Sequence, residues 1–252
     1  MYNVIWDKGY NLNTLSSMHY YKEYIKKFWV GLMDGIGNIQ INRQKNRSVD
    51  YRLIIKLCNI KLNYKMLVRI SKVIGGTILI TDKGKSVIWL ASTKEEIVNI
   101  LKIYDVYPPM THDINNKLKL LKSSLIKNTK KTFFNKNINL YKQLPVKAIN
   151  TDLKMPSYFK EWLSGYIEAK GSFLVRNCNN HSFLLKEIKE LCLMQMIKEH
   201  FSINNKIKYS CNNAYFIETY NREVLLKIIN HCFNYPLLGE KLELLKKFSL
   251  IL

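Results

Sequence analysis

The chain has 252 residues, with 40 Lys and Arg against 19 Asp and Glu, a formal net charge of +21. Hydrophobic residues make up 47% and charged residues 23%, which excludes a disordered basic tail and leaves enough apolar material for one large or two ordinary domains. No uncharged apolar run approaches the roughly 18 residues of a membrane span.

In chain order, Tyr20 to Met33 is amphipathic and predicts a helix. Strand signals at Gly37–Arg43 and Tyr51–Leu57 precede a helical pattern at Leu62–Ile74, which Gly75-Gly76 ends. Strands then read at Thr77–Thr81 and Val87–Ala91, before a helix from Lys94 to Tyr104 that Tyr107-Pro108-Pro109 stops. Asn115–Ile126 is helical by periodicity and opens a basic stretch. From Lys117 to Lys147 there are nine Lys, among them Lys130 and Lys131, and no acid. The order then repeats. A helix at Tyr158–Ile167 leads to strands at Ser172–Arg176 and, less clearly, Ser182–Leu185. A helix follows at Ile188–Phe201, then strands at Lys206–Ser210 and Tyr215–Thr219. A helix from Arg222 to Phe233 is stopped by Tyr235-Pro236, and a closing helix spans Glu240 to Phe248.

The expected architecture is α+β: two pseudo-symmetric αββαββα units with antiparallel sheets. Residues 1–110 form the first unit, 111–156 a basic linker and 157–252 the second, giving a monomer with an internal pseudo-two-fold. The repeat is clearest where Phe28-Trp29-Val30-Gly31-Leu32-Met33-Asp34-Gly35-Ile36-Gly37 meets Trp162-Leu163-Ser164-Gly165-Tyr166-Ile167-Glu168-Ala169-Lys170-Gly171. A shift of 134 residues aligns Gly31 with Gly165, Asp34 with Glu168, and Gly37 with Gly171. Small residues four apart, Gly31 with Gly35 and Gly165 with Ala169, let two helices approach backbone to backbone. Glycine at Gly37 and Gly171 suits a helix exit into a strand.

These residues resemble the LAGLIDADG family of homing endonucleases and intron maturases in its two-motif, single-chain form. The likeness covers about residues 20 to 250, and segments such as Tyr51-Arg52-Leu53-Ile54-Ile55-Lys56 and Pro236-Leu237-Leu238-Gly239-Glu240-Lys241 are similar to those of fungal mitochondrial members. The resemblance implies paired motif helices at the interface and two saddle-shaped sheets across a duplex. It also implies a catalytic carboxylate at the eighth position of each motif, holding divalent metal against the scissile phosphates. Here those positions are Ile36 and Lys170. Mg²⁺ needs oxygen ligands. Ile36 supplies none, and an ammonium about 4 Å from a unit positive charge is repelled by roughly 4 kcal/mol at an effective dielectric near 20. Strand cleavage is therefore expected to be lost, with no catalytic residue, resident metal or cofactor. Asp34 and Glu168, the sixth positions, remain acidic. They read either as an alternative metal site or, preferably, as structural residues of the helix interface, about 200° around the axis from the eighth.

Alternation along the strands puts Gln40 and Asn42 on one face, next to Arg43, and Arg52 with Lys56 on another, while Tyr51, Leu53, Ile55 and Leu57 form an apolar stripe beneath the helices. Arg176, Lys206 and Lys208 are the second half's candidates. With Lys130 and Lys131 these are the expected nucleic-acid contacts: Gln, Asn and Arg suit base edges, Lys suits phosphate. The second half keeps fewer such features, and structured RNA needs charge and shape more than base-edge readout. RNA is therefore favoured over DNA, either a group I intron bound as by a maturase or the RNA of a ribosome or other ribonucleoprotein. The alternative is a working DNA endonuclease with non-standard metal ligands, the one case that calls for Mg²⁺.

The five cysteines are odd in number and scattered, so reduced thiols are expected, without a disulfide framework or zinc site. The five histidines show no metal-like clustering. The first 30 residues carry Asp7 and Glu23, no Arg and no apolar h-region, unlike a secretory signal or transit peptide. The 34 Lys, 26 Asn and 29 Ile fit an AT-rich coding genome. Together these predict an organelle-encoded protein of the mitochondrial matrix.

Overall fold

The computed structural model describes residues 15–43, 49–126, 155–176, 180–188, 190–210 and 214–252. The first helix, α1 (Leu15–Ile36), turns Tyr24, Ile25, Phe28, Trp29, Leu32 and Met33 to the core at helical spacing, and from Phe28 to Asp34 every residue is buried, because a second helix covers the remaining side. Strand β1 (Asn38–Arg43) pairs with β2 (Val49–Cys58), where buried Leu53 and Ile55 alternate with exposed Arg52 and Lys56. Helix α2 (Lys61–Ile74) ends where Gly75 and Gly76 take φ of +92° and +88°, values an L side chain resists. A Cβ at Gly76 would also sit 2.6 Å from the Trp89 ring nitrogen, which donates to the Gly75 carbonyl at 2.8 Å.

Strands β3 (Thr77–Thr81) and β4 (Ser86–Ala91) complete a sheet of order β1-β2-β4-β3. Helix α3 (Lys94–Val106) starts on a reciprocal cap, Thr93 with Glu96, and stops before Pro108. Helix α4 (His112–Ile126) buries Ile114, Leu118 and Leu121 against α1 and β1. The opening of the basic segment thus belongs to the packed first half. Lys130 and Lys131 lie outside the described residues.

The second half follows the same order. Helix α5 (Phe159–Lys170) leads to β5 (Gly171–Leu174) and β6 (Ser182–Ile188). Helix α6 (Leu191–Phe201) and strands β7 (Lys208–Ser210) and β8 (Ala214–Thr219) complete a sheet of order β5-β6-β8-β7. Helix α7 (Arg222–Asn234) stops before Pro236, and α8 (Glu240–Ser249) closes the chain. Several boundaries differ from expectation, three of them in the second half's strands. Strand β6 runs to Ile188 instead of passing into a helix, because Glu187 keeps the alternation and turns inward. Strand β5 ends at Leu174, before Arg176, and β7 begins at Lys208, after Lys206.

The halves meet along α1 and α5. A Cβ at Gly31 would lie 1.9 Å from the Trp162 carbonyl oxygen, and one at Gly165 the same distance from that of Phe28. The two contacts are mirror copies under the repeat. Tyr24 donates to the Pro236 carbonyl and Tyr158 to that of Pro108, each at 2.6 Å, and Lys27 meets Glu161 at 2.9 Å. Glycines 37 and 171 serve space, not backbone freedom. Gly171 has φ of −69°, and a Cβ at either would fall under 3 Å from the helix carbonyl four residues earlier. Gly31→Ala is expected to cost about 3 kcal/mol by wedging the helices apart, and Gly75→Ala about 1–2 kcal/mol through its left-handed backbone alone. Urea unfolding of the two variants checks the order.

Candidate nucleic-acid interface

The sixth motif positions are fully engaged inside the protein. Asp34 accepts from the Met110 amide at 2.8 Å, the Thr111 hydroxyl at 2.7 Å, the Thr111 amide at 3.4 Å and the Trp162 indole at 2.7 Å. Glu168 accepts from the amides of Leu238, Gly239 and Lys241 at 3.0–3.1 Å. Each carboxylate therefore anchors the start of a later helix, α4 for Asp34 and α8 for Glu168, where amides point outward and negative charge is favoured. Burial pushes Asp34 up to about 7 against the pull of its four donors, and raises Glu168 against its three amides. With their oxygens committed, these two carboxylates serve the fold.

The motif helices are also close at their ends, where the Lys170 Cγ lies 3.4 Å from the point a Gly35 Cβ would occupy. Ile36 is half-buried and packs against the core. The Lys170 ammonium reaches Glu187 at 3.3 Å. The same Glu187 oxygen takes the Tyr166 hydroxyl, and its other oxygen takes the Ile188 amide at 2.7 Å. Burial and the Glu187 charge hold the Tyr166 hydroxyl well above its ordinary range. A divalent ion here would face a hydrocarbon, an ammonium and a carboxylate already holding three donors, a set that does not fit Mg²⁺. Among the described residues no three His, Cys, Asp or Glu side chains converge as metal ligands.

The sheet faces turned away from the helices are sparser in base readers than the charge count implies. On the first, Gln40 stands opposite Arg52 and Asn42 opposite Asp50, which puts the polar positions of the two strands next to each other. Arg43 lies in β1, its side chain outside the described set. Lys56 is exposed but pairs with Asp82 at 2.7 Å. Ile54, Leu79, Ile88 and Leu90 fill much of the rest. On the second face Leu184, Ile188 and Phe216 share the surface with Lys186 and Lys208, the latter 5.8 Å from the Phe216 ring centre. Arg176 extends from the strand end to Glu218 at 2.9 Å and the Tyr220 hydroxyl at 3.1 Å. Lys206 is exposed, before β7. Two of the expected cations, Lys56 and Arg176, are thus partly neutralised within the chain. Their acids, Asp82 and Glu218, join across strand ends that local periodicity does not connect. The same holds for Glu190, which takes both the backbone amide (2.6 Å) and the ring nitrogen (2.8 Å) of His112 across the two halves.

The chain matches the LAGLIDADG endonuclease family over residues 29–124 and 163–252. It is 40% identical to the probable intron-encoded endonuclease aI3 of Dictyostelium citrinum over 233 residues, covering 90% of this chain and 95% of that one. It is 36% identical to the probable intron-encoded endonuclease aI3 of Debaryomyces hansenii over 271 residues. That match takes in 94% of this chain and spans only 39% of that protein's length. Among solved structures, the LAGLIDADG meganuclease I-AabMI bound to uncleaved DNA matches with a TM-score of 0.71 at 21% identity, covering 90% of this chain and 89% of that one. The homing endonuclease I-LtrWI bound to target DNA matches with a TM-score of 0.71 at 19% identity, covering 91% and 90%. The fold is that of the two-motif, single-chain meganucleases, and the chain belongs to the LAGLIDADG endonuclease family.

Asp34→Asn turns an amide toward donors that a carboxyl accepts, and is expected to cost about 1–3 kcal/mol. The folded-state value near 7 exceeds the ordinary 3.8, so the folded protein binds a proton that the unfolded chain releases. The wild type's advantage is therefore full below about pH 4 and fades as pH rises through 7. Unfolding of both proteins across that range reads the narrowing gap.

Proposed function

We propose that this protein binds nucleic acid and has lost the strand cleavage of its family, with structured RNA as its ligand. A group I intron served as by a maturase, or the RNA of a ribosome or other ribonucleoprotein, fits this chemistry. The observation that carries the reading is the occupation of the helix ends by Ile36 and by the Lys170–Glu187 pair. Metal-assisted displacement needs an ion to activate the nucleophile and steady the leaving oxygen. A tethered ammonium neutralises phosphate but makes no hydroxide. The +21 charge supports a polyanionic ligand, and aliphatic sheet faces with few base-edge donors favour shape and charge over sequence readout. Among the described residues no helix is long and apolar enough to cross a membrane. The relatives named as intron-encoded endonucleases, together with the AT-rich codon signature, support an organelle-encoded protein of the mitochondrial matrix.

A second reading has its own support. The curated relatives are named as probable endonucleases and the structural neighbours were captured on DNA. A DNA endonuclease would here need Mg²⁺ on ligands other than the eighth positions.

Purified protein with Mg²⁺ or Mn²⁺ on supercoiled DNA carrying the uninterrupted exon junction separates the two. No nicking is expected, and site-specific nicking by the wild-type protein overturns the first reading. Crosslinking in the native compartment followed by sequencing is expected to recover structured RNA. Affinity for it is expected to fall roughly 10³–10⁵-fold between 50 and 200 mM salt if six to ten phosphates are contacted.

A further inference from the structure

Helix α2 carries Lys61, Lys65, Arg69 and Lys72 and no acid. At 100° per residue the four fall within an arc of about 80°, and the 1.5 Å rise spaces them about 6, 6 and 4.5 Å apart along the axis. Three are exposed and Arg69 is half-buried. Among the described residues none of the four forms an ion pair with a carboxylate, whereas Lys26, Lys27, Lys56, Lys117, Lys122, Lys170, Arg176 and Lys246 all do. The opposite side of α2, with Asn63, Met66, Leu67, Ile70 and Ile74, is buried against the core. The stripe therefore looks out from the helix layer, away from the face presented by Gln40 and Arg52.

The internal repeat supplies a control that the fold itself provides. Leu53 pairs with Ile39 as Phe183 pairs with Phe173, which sets the two halves in register. Carried into the helices, that register superposes buried Asn63, Met66 and Leu67 on buried Leu193, Met196 and Ile197. The four cations then stand where the second half has Leu191, Gln195, Glu199 and Ser202, all exposed. One position of the same fold thus carries four positive charges in one half and a net negative charge in the other, so packing does not require them. Lys61 also occupies the first turn of α2, the helix end where a cation is disfavoured. Beside it, the turn after β3 holds the exposed Lys83 and Lys85, with the Lys85 carbonyl accepting from the Asn59 amide at 2.9 Å.

We propose that this stripe on α2 is a second phosphate-binding surface, which grips the sugar–phosphate backbone of a folded RNA whose other part lies across the sheets. The spacing lets successive cations meet successive phosphates of one strand. A straight short duplex on the sheet face does not reach behind the helices, whereas an RNA with several packed helices presents backbone to both sides at once. The inference rests on the nucleic-acid reading above and adds to it the requirement for a compact, branched ligand.

The test is the quadruple variant Lys61→Gln, Lys65→Gln, Arg69→Gln, Lys72→Gln. Its partner control is Lys246→Gln, Lys247→Gln, which removes two cations from α8, the half-buried Lys246 paired with Glu243 and the exposed Lys247, and circular dichroism verifies folding of both. Binding is measured against salt with a folded group I intron transcript, a 20-bp DNA duplex and phosphatidylserine vesicles. For the folded transcript the slope of log affinity on log salt is expected to become shallower by about 3 in the quadruple variant, with little change for the control or for the duplex. If the quadruple variant does not fold, the pair Lys65→Gln, Lys72→Gln is read instead, with about half that change. An unchanged slope on the transcript, an equal loss on the short duplex, or selective loss of vesicle binding overturns this surface alone. Wild-type protein that binds neither nucleic acid overturns the functional reading as well.

Discussion

The structure depends on one contact, the backbone-to-backbone approach of α1 and α5 at Gly31 and Gly165. No side chain has room between them at these two glycines, so peptide groups set the distance there, while Lys27 with Glu161 and Trp162 with Asp34 bridge the same helices on either side. Everything at their ends follows from that placement. Gly37 and Gly171 send the chain into the two sheets, and Lys170 comes to rest against Gly35 of the opposite helix. Tyr24 and Tyr158 tie each helix to the proline turn of the opposite half.

The acids are distributed by the same logic. Asp34, Glu168, Glu187 and Glu190 are buried, and each is saturated with donors. They anchor helix starts, a lysine or a cross-half histidine. Removing these carboxylates from the surface leaves the outside more positive than the composition suggests, which strengthens the attraction to polyanions without any additional lysine.

Much of the fold was legible in the sequence because its signals are local. Gly75-Gly76, Pro108-Pro109 and Pro236 mark real ends, and the repeat at Gly31 and Gly165 marks the interface. The strand boundaries that shifted did so where a long-range partner decides. Ile188 reads as the start of a helix until Tyr166 and Lys170 are seen to hold Glu187 inward and prolong the strand. The interface was legible as a set of residue types but not as a set of free charges. Lys56 and Arg176 find Asp82 and Glu218 only after the sheets assemble. The sixth positions read as structural from the motif alone, though what they support, the first amides of α4 and α8, is more than 70 residues downstream. The α2 stripe escaped notice because four cations on a helix look ordinary until the other repeat shows the same position without them.

The pairing of Lys170 with buried Glu187 makes the change at the eighth position hard to undo. An acid introduced at residue 170 would face a carboxylate already sequestered from water, stripped of its Lys170 partner and still tied to Tyr166. Recovery of an ion-binding centre would thus demand coordinated replacement at three places, Ile36, Lys170 and Glu187.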